Sequence, residues 1–194
     1  HGWTNTFSYS SSYWERSNSL GNFASGNNSY AVILRPHNNY GNNDRSHFTS
    51  GAIDISGYED LEFSFKMRYQ TESANYDVWA IYYSTDNTNW NILGSSWYDA
   101  QNTRLTAYFS ELSGTHGVWG GSSNNFWRTL STTMPSSLNG QSNLYLRVYF
   151  RSDGSSVHDG AAFDDVVITG TNTIPDCDTL DIIVASSPNT LYSN

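Results

Sequence analysis

Residues 61 to 69 constrain the fold more than any other stretch: Leu61, Phe63, Phe65, Met67 and Tyr69 alternate with Glu62, Ser64, Lys66 and Arg68. Successive side chains of a β-strand point to opposite faces, so this alternation describes one buried and one outward face, a pattern a helix cannot match. The segment Leu144, Leu146, Val148, Phe150 against Tyr145, Arg147, Tyr149, Arg151 repeats it. Further strand signals lie at Ser29 to Arg35, Ala52 to Ile55, Asp77 to Ser84, Trp90 to Leu93, Phe126 to Leu130 and Ala162 to Thr169, separated by Gly, Asn, Asp and Ser clusters. No comparable helical stretch occurs. The polar run between Tyr83 and Trp90 predicts a hairpin.

A chain of 194 residues suits one β-sandwich, and the 15% aromatic content supplies a core of sheet-favouring residues. The expected architecture is all-β, a jelly-roll β-sandwich of two antiparallel sheets spanning residues 1–170. Residues 171–194 begin as a linker-like tail, and Leu180 to Ala185 within it reads as an added strand or the start of a neighbouring module. The segment from Ser95 to Asn125 is long, aromatic and without sustained alternation; such loops are functional or specially packed.

Charge and composition exclude several classes. A net charge of -9 with only nine Lys and Arg opposes the phosphate backbone, so nucleic acid is not an expected partner. No apolar run reaches the roughly 20 residues of a membrane span, and the first residues lack a basic start followed by an apolar core, which reads as a soluble, mature chain. A single cysteine, Cys177, permits no internal disulfide, so core packing or a metal must hold the fold. The Asn27-Asn28-Ser29 sequon carries little information in so Asn-rich a sequence.

The segment Asp159 to Ile168, with its Phe163-Asp164-Asp165-Val166 centre, resembles the closing strand of jelly-roll accessory domains of secreted bacterial hydrolases and peptidases. Trp14-Glu15-Arg16, Ile53 to Tyr58, Tyr83 to Asp86 with Trp90, and Leu146 to Phe150 resemble further strands and the hairpin of that group, in the same order. The resemblance covers roughly residues 3–170 and extends to carbohydrate-binding modules and MAM-like adhesion domains. It implies a secreted or cell-surface location, a bacterial source and a catalytic domain elsewhere in the same parent chain.

Candidate sites follow from both readings. Two-residue periodicity places Asp164 on the face of Ala162, Val166 and Ile168, where a carboxylate needs a partner or a cation. In the resembling domains the matching Asp helps hold a structural calcium (Ca2+), so Asp164, with Asp165 beside it, is the expected metal ligand; a hydrogen-bonded or Arg-paired Asp is the alternative. Lys66, Arg68, Tyr145, Arg147 and Tyr149 are outward residues of two strands, and flat rings beside guanidinium groups suit a glycan. Tyr83, Trp97 and Trp119 would extend that surface. The alternative is that the two strands belong to different sheets.

Enzyme signatures are weak. Glu59-Asp60-Leu61-Glu62 lacks the carboxylate spacing of jelly-roll glucanases, no nucleophile elbow occurs, and His158-Asp159 beside Ser155 and Ser156 reads as a turn. Histidines at 1, 37, 47, 116 and 158 form no compact zinc motif, and an N-terminal His1 alone is a poor basis for a copper-dependent polysaccharide monooxygenase. The resulting expectation is a non-catalytic carbohydrate-binding module for an extracellular polysaccharide, with an anionic one open. An adhesion or protein-interaction domain is the runner-up and a polysaccharide-active enzyme the remote third.

Overall fold

The computed structural model describes residues 2–8, 12–17, 31–34, 38–123, 126–173 and 180–183. His1, the sequon at 27–29, His37 and Cys177 lie outside these residues. The elements are β1 (Thr4–Ser8), β2 (Trp14–Ser17), β3 (Ala31–Leu34), β4 (Arg45–Thr49), β5 (Tyr58–Gln70), β6 (Val78–Ser84), β7 (Asn91–Ile92), β8 (Ala100–Asn102), β9 (His116–Val118), β10 (Arg128–Thr133), β11 (Tyr145–Arg151), β12 (Gly160–Asn172) and β13 (Leu180–Ile183). A short 3-10 turn at Ser136–Leu138 is the one helical element among the described residues.

Two antiparallel sheets form an all-β sandwich. One has the order β1-β4-β11-β6-β7 and the other β10-β5-β12-β3-β2, with β13 added against β12. From β3 to β6, and again from β10 to β12, consecutive strands alternate between the sheets, the winding expected of a jelly roll. The inward rows of β5 (Leu61 to Tyr69) and β11 (Leu146, Val148, Phe150) meet with Trp79, Ile81 and Phe163 in the core between the sheets. Burial of these large side chains supplies the main driving force for the fold.

A second core lies on the outer side of the five-stranded sheet. Val78, Ala80 and Tyr82 of β6 and Tyr149 of β11 pack there against Trp90, Leu105, Phe109, Leu112 and Val118. Residues 98–118 thus fold back as a layer over one sheet face, braced by the β8–β9 ribbon. Gly120 makes this approach possible: a Cβ there would sit 2.5 Å from Ala74 Cα and 2.7 Å from the Asp77 carbonyl oxygen.

Three sequence expectations change. Ala52 to Ile55 is not a strand; only Ile53 bridges, to Leu144. β12 runs two residues past the expected boundary at residue 170, to Asn172, and Leu180–Ile183 pairs with Ile168 to Thr171, in line with the added strand, one of the two readings of the tail. The third concerns Asp164. A β-bulge between Asp164 and Val167, with Asp165 in the left-handed region at φ 49°, reverses the strand's phase. Asp164 therefore shares its face with Ala162 and Lys66, away from the core that Val166 and Ile168 enter.

Candidate functional site

The predicted glycan surface is divided by the fold. Lys66 and Arg68 lie on β5, whereas Tyr145, Arg147 and Tyr149 lie on β11 of the other sheet, so the two groups occupy opposite outer faces of the sandwich. Lys66 Nζ pairs with Asp165 at 2.8 Å, and Arg68 is buried. Trp119 is fully buried, 4.6 Å from Trp79 between ring centroids, and its Nε1 donates to the Trp97 carbonyl. Trp97 itself packs on Phe63 and Phe65. Tyr149, expected on the surface, is 0% exposed because the folded-back segment covers it.

Arg147, Tyr83 and Tyr145 remain partly open, and around Arg147 the fold builds an ordered network. Its guanidinium lies 3.8 Å over the Trp90 ring. Nε donates to Thr49 Oγ1 at 2.7 Å, Nη1 to Tyr149 Oη at 3.0 Å and to Glu111 Oε1 at 3.4 Å, and Nη2 to Asn87 Oδ1 at 3.3 Å. Tyr149 Oη in turn donates to Glu111 Oε1 at 2.9 Å. Asn87 reaches the network from a left-handed turn position, φ 58°, in a hairpin pinned by Asp86. The Asp86 carboxylate accepts from the Thr88 and Asn89 amides and the Asn89 side chain, and these bonds hold it well below the usual carboxylate range.

Beside this network opens a pocket of about 370 Å³ lined by Tyr83, Trp90, Asn91, Ile92, Glu111, Ser113 and His116. His116 Nδ1 lies 2.6 Å from Tyr82 Oη. Burial lowers the His116 pKa, against a weaker opposing pull from the Ser113 carbonyl, which favours the uncharged ring. The pocket offers an aromatic wall, a carboxylate, an amide and a hydroxyl. Sequence reasoning found Tyr83 of the pocket and Arg147 of the network beside it, but missed Trp90, Glu111 and His116 as pocket residues. Trp90 stood there as a strand start and a hairpin residue, not as a ligand contact, and Glu111 lies in a segment whose return over the sheet has no periodic signal.

A second cluster gathers at the opposite end of β6 and β11. Carboxylate oxygens of Glu72, Asp77 and Asp153 lie within 4.8 Å of one another, close enough to share one cation, and Asp77 is fully buried. Tyr40 Oη donates to Asp77 Oδ2 at 2.5 Å and the Asp153 amide to Asp77 Oδ1 at 2.7 Å, whereas the buried Glu72 Oε2 has no hydrogen-bond partner. Burial raises the pKa of both Glu72 and Asp77, and the neighbouring carboxylates raise each further. Among the described residues this is the one such group. Asp164 and Asp165 lie outside it: Asp164 Oδ1 accepts the Asp165 amide at 2.8 Å, and Asp165 is the partner of Lys66.

Neither protein-family models nor curated proteins give a match to this sequence. Solved structures do. TmCBM61, solved in complex with beta-1,4-galactotriose, superposes with a TM-score of 0.50 at 10% identity, covering 87% of this chain and 88% of that one. The K1 cleaved adhesin domain of Lys-gingipain from Porphyromonas gingivalis W83 gives 0.43 at 13% identity, covering 87% of this chain and 90% of that one. The Endo-D glycoside hydrolase domain from Streptococcus pneumoniae R6 gives 0.45 at 11% identity, covering 83% of this chain and 20% of that one. At such identities the first likeness shows a shared β-sandwich fold, and fold alone does not set function.

Proposed function

We propose that this chain is a non-catalytic carbohydrate-binding module of a secreted bacterial protein, and that the pocket beside Trp90 and Arg147 is its binding site. The observation that carries this reading is the preorganised wall of the pocket. Trp90 is held against a guanidinium that four hydrogen bonds fix in place, so little ordering is left for the moment of binding. Sugars present apolar ring faces edged by hydroxyls, and the partly open Tyr83 ring, with the edge of Trp90, beside Asn91, Glu111 and Ser113 matches both parts. The shared fold with a galactotriose-binding module supports the choice of probe, and a catalytic domain in the same parent chain would supply the chemistry.

Affinity gel electrophoresis against galactan and other polysaccharides tests the reading. Retardation by at least one is expected, weakened about tenfold or more in Asn91→Ala and Tyr83→Ala through loss of a hydrogen bond or a ring contact. Unretarded migration in every gel, with a folded protein, would overturn it and favour a protein partner.

For the acidic cluster the proposed occupant is calcium. Three carboxylates, one wholly buried and one with a buried oxygen lacking any donor, form a hard-oxygen donor set of the kind calcium takes. A bound cation would offset the burial, and the smaller mutual repulsion, that raise the pKa of Glu72 and Asp77. Its role would be structural, joining the residues that lead into β6 to the residue that follows β11.

A further inference from the structure

Resting on the carbohydrate reading, we infer that the Trp90 pocket selects an uncharged sugar and rejects anionic polysaccharides, with Glu111 as the residue that sets this choice. An anionic glycan would need a cation able to fork onto its carboxylate or sulfate. The nearest, Arg147, is committed: Nε, Nη1 and Nη2 already donate to Thr49, Tyr149, Glu111 and Asn87, and its flat face lies on Trp90. Turning toward a ligand would break that set, leave the Glu111 carboxylate without its cation and strip Asn87 Oδ1 of its bond from Nη2. No Lys or Arg lines the pocket.

Glu111 supplies the opposite charge. Its Oε1 takes the bonds from Arg147 and Tyr149, and Oε2 remains as an acceptor for ligand hydroxyls. A hydroxyl-rich neutral ring satisfies that acceptor. A carboxylate or sulfate at the same place meets a like charge in a protein of net charge -9. Lys66 and Arg68 cannot compensate, since they sit on the other sheet.

Probes that share a backbone linkage and differ in carrying anionic groups test the inference: hydroxyethylcellulose with carboxymethylcellulose, dextran with dextran sulfate, galactan with carboxymethylated galactan. Retention is expected from neutral members only, unchanged by salt. Glu111→Gln keeps an oxygen for Arg147 and Tyr149 but removes the charge. It should raise retention by the anionic partner of whichever neutral probe binds by about tenfold, the effect of one nearby unit charge at intermediate dielectric. Retention of the wild type by an anionic member as strong as by its neutral partner, fading with salt, overturns the inference while leaving carbohydrate binding intact. Equal exclusion of the anionic member by wild type and Glu111→Gln overturns the role of Glu111. No retention by any probe overturns the carbohydrate reading and this inference together.

Discussion

Tyr149 shows how far a single residue's environment can depart from its strand periodicity. Its alternation with Val148 and Phe150 sends it away from the core between the sheets, yet it is buried under Phe109, 4.7 Å away, and beside Tyr82 at 5.1 Å. Tyr149→Ala should cost about 3–5 kcal/mol in urea unfolding, the range for emptying a large aromatic site, whereas Tyr149→Phe should cost about 1–2 kcal/mol through its lost hydroxyl bonds. A cost for the alanine variant below 1 kcal/mol would return Tyr149 to the surface. His47, between Phe109 and Tyr149, makes a pH prediction. Burial, then the Arg147 charge, lowers its pKa from 6.5 to about 4, with Glu111 opposing. The unfolded chain therefore binds more protons between those values, and stability falls as pH drops through that window. The loss is at most about 3 kcal/mol and less because the ring is partly exposed. His47→Gln should remove this component, so the Tm difference between wild type and variant should shift between pH 7 and pH 4; parallel curves would show that His47 titrates normally. The side of β5 and β11 on which each residue falls was legible in the sequence; what covers that side was not, because the cover comes from a distant segment.

At the scale of elements, β5, β6 and β11 were readable because their inward rows are unbroken apolar runs, and β12 because apolar residues flank its two aspartates. β4 escaped notice: its row Arg45, His47 and Thr49 is polar and faces the second layer, leaving Ser46 and Phe48 as the inward pair. The bulge in β12 escaped too, since one extra residue changes the face of Asp164 without any Gly or Pro to mark it. The fold-back segment depends on close backbone approach at Gly120. Gly120→Ala should therefore destabilise the domain by about 1–3 kcal/mol, the usual range for overpacking, because the new methyl meets backbone atoms that have no rotamer to yield. β13 is an edge addition to β12, opposite the longer pairing with β5. A chain ending at Thr173 should keep one cooperative unfolding transition but associate more readily, having bared the edge of β12 at Ile168 to Thr171. Loss of cooperativity would make β13 an integral strand.

Across the whole molecule, the two candidate sites stand at opposite ends of one strand pair. Asp77 and Asp153 flank the end where Val78 pairs with Arg151, and Tyr83 with Tyr145 marks the other, where Tyr145 pairs with Ser84. Seven residues of β6 separate them, roughly 20 Å at strand rise. A cation at the acidic end would tie the approach to β6 to the exit from β11 and so act on the stability of the sandwich. The pocket end is fixed separately, by Arg147, Glu111 and the Asp86 hairpin, none of which touches the cluster. Calcium removal should therefore lower Tm by about 5–10 °C when calcium had been present at a hundredfold its Kd, the effect of a ligand bound only to the native state in a domain of this size. Sugar affinity, measured well below Tm, should change by less than about twofold, because rigid strands carry no two-state element between the sites. Asp77→Asn should abolish the calcium dependence of Tm, and Asp164→Asn should leave it intact. The comparison is decisive in either direction: a Tm indifferent to chelator in the wild type removes the metal, and a calcium dependence lost in Asp164→Asn but kept in Asp77→Asn moves it to the bulge of β12.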